Sequence, residues 1–129
     1  MRTLRVGIAS YEQMKARTLA IARGECQPAA GEPKVWFTSA ESFARILSER
    51  NRALLGIIAV SAPESLARLA ELTGRKKSNL SRTLKTMERY GFVQLTHGAR
   101  GSVIPRVPYQ KISLTLPLSK PGLHGSEAA

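Results

Sequence analysis

Apolar and polar positions alternate with two different periods along this chain, and the change of period marks its elements. From Thr3 to Ala9 the period is two, with Leu4, Val6 and Ile8 on one side and Arg5 and Gly7 on the other, which predicts a short half-buried strand. Ser10 is placed to cap a helix from Tyr11 to Arg23, with Met14, Leu19 and Ile21 as its candidates for burial and Gly24 as its stop. The run Glu25–Pro33 reads as a loop from its glycine and prolines. Lys34–Phe37 is a second short strand, Val35 and Phe37 on one side and Trp36 on the other. If it pairs with the first strand, residues 1–37 form a strand–helix–strand unit.

Beyond it the period becomes helical. Thr38 and Glu41 have the spacing of a capping box, opening a helix to about Leu47 that buries Phe43, Ile46 and Leu47. A stretch from about Arg50 to Val60 buries Leu54, Leu55 and Ile58, and the two are either separate helices or one bent helix. Pro63 fits the first turn of the next helix, because proline lacks the amide that would go unpaired there.

The most strongly patterned stretch is Ser65–Val93. Leu66, Leu69 and Ala70 mark the buried face of one helix, and Gly74 is the residue expected to turn left-handed at its end. A second helix follows with Leu80, Leu84 and Met87 on one face and Ser78, Ser81, Arg82, Lys85 and Arg89 on the other, ending at Gly91. Phe92–Thr96 reads as a strand, His97–Ser102 as a turn, and Val103 onward as a returning strand. Pro105 and Pro108 mark that strand as an edge, since proline cannot donate to a ladder. Gln110–Leu116 alternates again, and residues 119–129 have the composition of a disordered tail.

Charge sharpens this picture. The chain of 129 residues carries a net charge of +11 and a sequence pI of about 10.7, which points to an anionic partner, nucleic acid first. Its hydrophobic content of 43% is enough for a compact core. The basic residues gather where the pattern is strongest: Arg75, Lys76, Lys77, Arg82, Lys85 and Arg89 stand against one acid, Glu88. Cations at a helix N-terminus oppose the helix dipole, so Arg75, Lys76 and Lys77 break a local rule in a way that suggests phosphate contact. A buried stripe opposite a Ser/Arg/Lys stripe fits a helix laid in the DNA major groove, where arginine and lysine reach guanine O6 and N7. A solvated basic face on a core helix is the plainer reading of the same pattern.

The segments LARLAELTG and SNLSRTLKTMERYGFVQL, followed by a glycine-containing tip and a returning strand, resemble the winged helix-turn-helix of MarR-like transcriptional regulators. With a helix like SFARILSERNRALLGIIA before them and a strand like VPYQKISLTL after, they resemble more closely a group of short DNA-binding proteins of antitoxin type. The resemblance covers about 35–116. It implies an α+β fold, a three-helix core with a β-hairpin wing over 38–118, a recognition helix at about 77–90 and a wing at about 97–105. It departs from the family at position 76, where a lysine replaces the usual cap; either Ser78 caps a slightly shorter helix or the cap is missing.

On this reading Ser78, Asn79, Ser81, Arg82 and Lys85 reach base edges, while Arg75, Lys76, Lys77, Arg89, Arg100 and Arg106 hold phosphate or the minor groove. The implied function is a sequence-specific regulator of transcription, a repressor, acting as a homodimer on double-stranded DNA. The alternative that the resemblance implies is an antitoxin that binds and neutralises a cognate toxin and represses its own operon. Residues 1–37 either dimerise or pack on their own winged helix.

Other classes of function find little in the sequence. No nucleophile–base–orienter set, phosphate loop or paired-histidine metal motif is present, so neither enzyme activity nor a cofactor is expected. Cys26 is the one cysteine, which excludes an internal disulfide. His97 and His124 are too few and too far apart for a metal site. The aromatics are not interleaved with basic residues as in RNA-recognition surfaces. The N-terminus lacks the apolar run of a signal peptide and no stretch has the length of a membrane span, so a cytoplasmic protein without a membrane partner is expected.

Overall fold

A computed structural model describes residues 2–25 and 32–118. The expected tail at 119–129, Cys26, His124 and the middle of the Glu25–Pro33 loop lie outside the described residues. The fold is α+β. In chain order the elements are β1 (Thr3–Ile8), α1 (Tyr11–Ala22), β2 (Val35–Phe37), α2 (Ala40–Ile46), α3 (Glu49–Ser61), α4 (Leu66–Thr73), α5 (Lys77–Arg89), β3 (Gln94–His97), β4 (Val103–Arg106) and β5 (Lys111–Thr115). The chain divides into two compact units, one holding Ala44–Lys111 with the residues ahead of Leu4, the other holding Leu4–Phe43 and the segment from Ile112.

In the unit containing Leu4–Phe43, β1 is the central strand of a three-stranded sheet ordered β2-β1-β5. β1 and β2 run parallel, with Val6 opposite Val35, Gly7 opposite Trp36 and Ile8 opposite Phe37, joined by α1 as a strand–helix–strand crossover. The alternating segment expected at 110–116 is a strand, and its partner is β1. Periodicity locates a strand but does not name its neighbour.

Leu4, Val6, Ile8 and Phe37 are buried, and Phe37 meets Phe43 edge to face at 5.5 Å. On the other side of β1, Gly7 makes room for Trp36: a Cβ there would fall 2.5 Å from the indole. Arg17 of α1 stacks over the same indole at 5.7 Å and pairs with Glu32.

Three sequence expectations in this region are corrected. Ser10 does cap α1, in a reciprocal box with Gln13, but α1 buries no residue and Leu19 is 43% exposed. Met14 and Ile21 are half-buried, as is Arg17, whose guanidinium lies over the Trp36 indole. At α2 the cap is Ser39, whose hydroxyl accepts from the Ser42 amide at 3.1 Å; the helix begins one residue later than the Thr38 box requires. Only Leu47 of its three expected core residues is buried, with Phe43 and Ile46 half-buried.

In the unit containing Ala44–Lys111, α2 and α3 are separate helices. Ser48 caps α3 by accepting from the Asn51 amide at 3.2 Å. Leu54, Leu55 and Ile58 of α3 are buried, as are Leu66 and Leu69 of α4 and Leu80, Leu84 and Met87 of α5. Each fully buried side chain of this size contributes roughly 1.5–3 kcal/mol, so the three helices are held by one shared core. Phe92 and Val93 complete it ahead of β3, which starts at Gln94, two residues later than expected.

Pro63 does not open α4. Ala62 takes a left-handed conformation at φ 44°, and Ser65 is the cap, accepting from the Arg68 amide at 3.1 Å. Gly74 ends α4 at φ 73°, a conformation that would strain any other residue type.

β3 and β4 form an antiparallel hairpin running from Gln94 opposite Arg106 to His97 opposite Val103. Both strands are edges, which is why Pro105 is tolerated opposite Leu95. Among the described residues no single helix is long and apolar enough to cross a membrane.

Candidate functional site

The candidate site is built on α5. Its three buried side chains, Leu80, Leu84 and Met87, are at most 1% exposed and fix the rotation of the helix. With that face pinned, Ser78, Arg82, Lys85 and Arg89 fall at intervals of four, three and four residues along the opposite side and are all exposed. Ser81 is half-buried on the flank toward the hairpin, where it lines a cleft with Lys85, Glu88, Leu95, His97 and Val103.

The N-terminus of α5 resolves the question of its cap. Lys76 occupies the cap position with φ −67° and ψ 142°, and its side chain makes no capping hydrogen bond. Ser78 lies inside the helix, so the side-chain cap is missing rather than displaced. Lys76 and Lys77 are exposed beside these amides.

Arg75, expected to hold phosphate, is engaged within the protein. Its Nε donates to Asn79 Oδ1 at 3.1 Å and both Nη atoms lie 3.4 Å from Asn51 Oδ1. Asn51 in turn donates to the Ile46 carbonyl at 3.0 Å. The cluster ties the end of α2 and the start of α3 to the turn before α5. Desolvation, and then the nearby charge of Arg50, push the Arg75 pKa below its ordinary value. Asn79 is thereby held on the flank of α5 away from the hairpin, with its amide oxygen occupied.

Arg106 is also used internally. Its guanidinium donates to the Pro63 carbonyl at 2.8 Å and to the Pro105 carbonyl at 2.7 Å, joining β4 to the α3–α4 connection.

Arg100 stands at the hairpin tip in a single 3-10 turn, Ala99–Gly101, and is exposed. It adopts φ 59° and ψ 32°, followed by Gly101 at φ 73°. A left-handed arginine is an uncommon, strained conformation. The Gly98 amide, donating to the Ser102 carbonyl at 2.7 Å, closes the loop that holds it.

The residues that sequence reading missed are Asn51, Arg45, Thr83 and Thr86. Asn51 binds Arg75, and together with Arg45, Thr83 and Thr86 it lines a pocket on the other flank of α5. Their significance is tertiary, and the helical periods of α2, α3 and α5 taken singly carry no sign of it.

A family model named HVO_A0114 matches residues 46–114, more than half of the chain, and the protein belongs to that family. The match spans α3, α4, α5, the hairpin and most of β5. No curated protein and no solved structure matches the chain.

Proposed function

We propose that this protein is a sequence-specific DNA-binding regulator of transcription whose α4–α5 pair and β3–β4 hairpin act as a winged helix-turn-helix. The observation that carries the reading is the exposed stripe Ser78, Arg82, Lys85 and Arg89 on a helix whose opposite face is fully buried. Such a helix presents side chains that pair with base edges in a major groove, arginine and lysine with guanine and serine with either base type.

Within this reading Ser78, Ser81, Arg82 and Lys85 contact bases. Lys76, Lys77 and Arg89 contact phosphate, and Arg100 enters the minor groove from the hairpin tip. Arg75, Asn79 and Arg106 act by holding the frame, as their internal hydrogen bonds support. The protein works as a binder and a repressor rather than as an enzyme.

The proposal includes a homodimer, because two copies read two half-sites where one winged helix reads few base pairs. The unit with the strand–helix–strand crossover is its dimerisation element. That unit exposes Leu114, Leu116 and Leu118 at 48%, 57% and 95%, and Tyr11 of α1 at 72%, an apolar set suited to a second copy.

The test is a salt titration of duplex binding by the full chain. The expected result is a steep fall of log K against log salt, about −0.9 per neutralised phosphate. A flat response removes the proposal.

A further inference from the structure

The flank of α5 turned away from the hairpin carries a basic feature that the exposed stripe does not account for. Arg82, Thr83, Thr86 and Met87 of α5 face Arg45 and Ile46 at the end of α2 and Asn51 in the first turn of α3 across an open pocket of about 180 Å³. No acidic side chain lines it. Among the described residues neither Arg45 nor Arg82 takes part in an ion pair, and both are exposed.

The pocket's polar groups separate into engaged and available donors. The Asn51 amide donates to the Ile46 carbonyl while its oxygen receives Arg75. The Thr86 hydroxyl donates to the Arg82 carbonyl at 3.2 Å. Thr86 therefore serves as wall, while Asn51 keeps its second amide N–H. With Arg82 assigned to a base edge, the Arg45 guanidinium and the Thr83 hydroxyl remain as donors, and together they suit a compact oxyanion bearing several acceptor oxygens. Arg75, bonded to the lining residue Asn51, adds positive charge beside the pocket.

Position selects the source of that anion. The hairpin and its cleft occupy one flank of α5, through Ser81, Lys85 and Glu88, and this pocket occupies the other. A helix seated in a major groove about 12 Å wide has a phosphate backbone along each side. One backbone then passes the hairpin and the other passes Arg45.

We propose that this pocket seats a backbone phosphate of the bound duplex, held by Arg45 and Thr83 on the side of α5 opposite the hairpin. The assignment rests on the reading of α5 as a DNA-contacting helix. It adds a contact from outside the helix-turn-helix, since Arg45 belongs to α2.

The experiment uses the full chain with Arg45→Ala and Arg45→Lys, on a duplex recovered by selection from random sequence and on a scrambled control. For Arg45→Ala the salt slope falls by roughly one unit and both duplexes weaken by a similar factor, so their ratio is unchanged. Arg45→Lys recovers most of the slope, because a phosphate needs charge more than a planar fork. Ethylating a single phosphate on one strand weakens the wild type and has little further effect on Arg45→Ala. A thermal melt of each variant matching the wild type assigns these changes to the contact and not to the fold. If the wild type binds duplex DNA and Arg45→Ala binds with the same slope and affinity, the pocket assignment is overturned while the reading of α5 stands. If the wild type binds no duplex at all, both fall together.

Discussion

Asn51 and Arg75 lie 24 positions apart and meet side chain to side chain, the Asn51 carboxamide oxygen accepting from the guanidinium at 3.4 Å. Because Arg75 also reaches Asn79, the first turn of α5 is anchored to α3 by hydrogen bonds at a point where the helix lacks a side-chain cap. On the proposed DNA-binding reading, a cation drawn into this cluster acts only through the position of α5, while its neighbours Lys76 and Lys77 remain exposed outside it.

This separates two basic residues that stand next to each other in the sequence's charge count. Arg75→Ala is expected to lower stability by about 1 kcal/mol, the scale of lost hydrogen bonds to a partly exposed group, and to leave the salt slope of DNA binding near that of the wild type. Lys77→Ala is expected to leave the melt unchanged and to lower the slope by roughly one unit. Paired melts and salt titrations check both, and a reversal of the two patterns would return Arg75 to the phosphate contacts.

Much of the fold was legible in the sequence, and the parts that were not share a physical cause. Leu80, Leu84 and Met87 could be placed because a helix repeats every 3.6 residues and a buried face must follow that repeat. The same holds for Gly74, whose φ of 73° was foreseeable from the lack of a Cβ. The pairing of β5 with β1 was not legible, since alternation gives a strand's faces and not its partner. Nor were the roles of Arg75 and Arg106, because a cation's partners come from other elements; Pro63 and Asn51 lie far from them in the chain. Thr38 and Ser39 are both good caps, and one residue of register decided between them.

The missing cap gives a prediction in which stability and binding move in opposite directions. Lys76 already has the extended backbone of a cap residue. Lys76→Ser should therefore stabilise the protein by about 1 kcal/mol, as a hydroxyl satisfies an amide of the first turn. The same substitution removes the phosphate contact proposed for Lys76 and should weaken binding to specific and scrambled duplexes alike. Denaturant unfolding and a binding titration on one preparation test the pair of effects.

Gly7 and Trp36 offer a check on the sheet. An added Cβ at Gly7 would lie 2.5 Å from the indole ring, so Gly7→Ala forces the ring to move and should cost about 1–3 kcal/mol, the usual range for overpacking. Trp36 is the sole tryptophan of the chain, so its fluorescence reports the displacement directly. An unshifted emission maximum with unchanged stability would contradict the packing described for β1 and β2.

Assembly is tested through Leu114 and Leu116, exposed at 48% and 57% in and just after β5. Light scattering on the full chain should give the mass of a dimer, and the double variant Leu114→Lys, Leu116→Lys should give that of a monomer with its helical signal intact. A dimer that survives both substitutions would place the interface elsewhere.

The central claim is that the exposed stripe of α5 reads base sequence, and Arg82→Lys tests it most directly. The substitution keeps the charge and removes the planar fork that pairs in bidentate fashion with guanine. On a duplex recovered by selection and a scrambled control, the account predicts that the ratio of the two affinities falls by about 5- to 150-fold, the equivalent of 1–3 kcal/mol of base discrimination, with the salt slope unchanged. A variant that keeps the wild-type ratio, on an intact fold, would show that Arg82 supplies charge alone and would contradict the assignment of α5 as the reader.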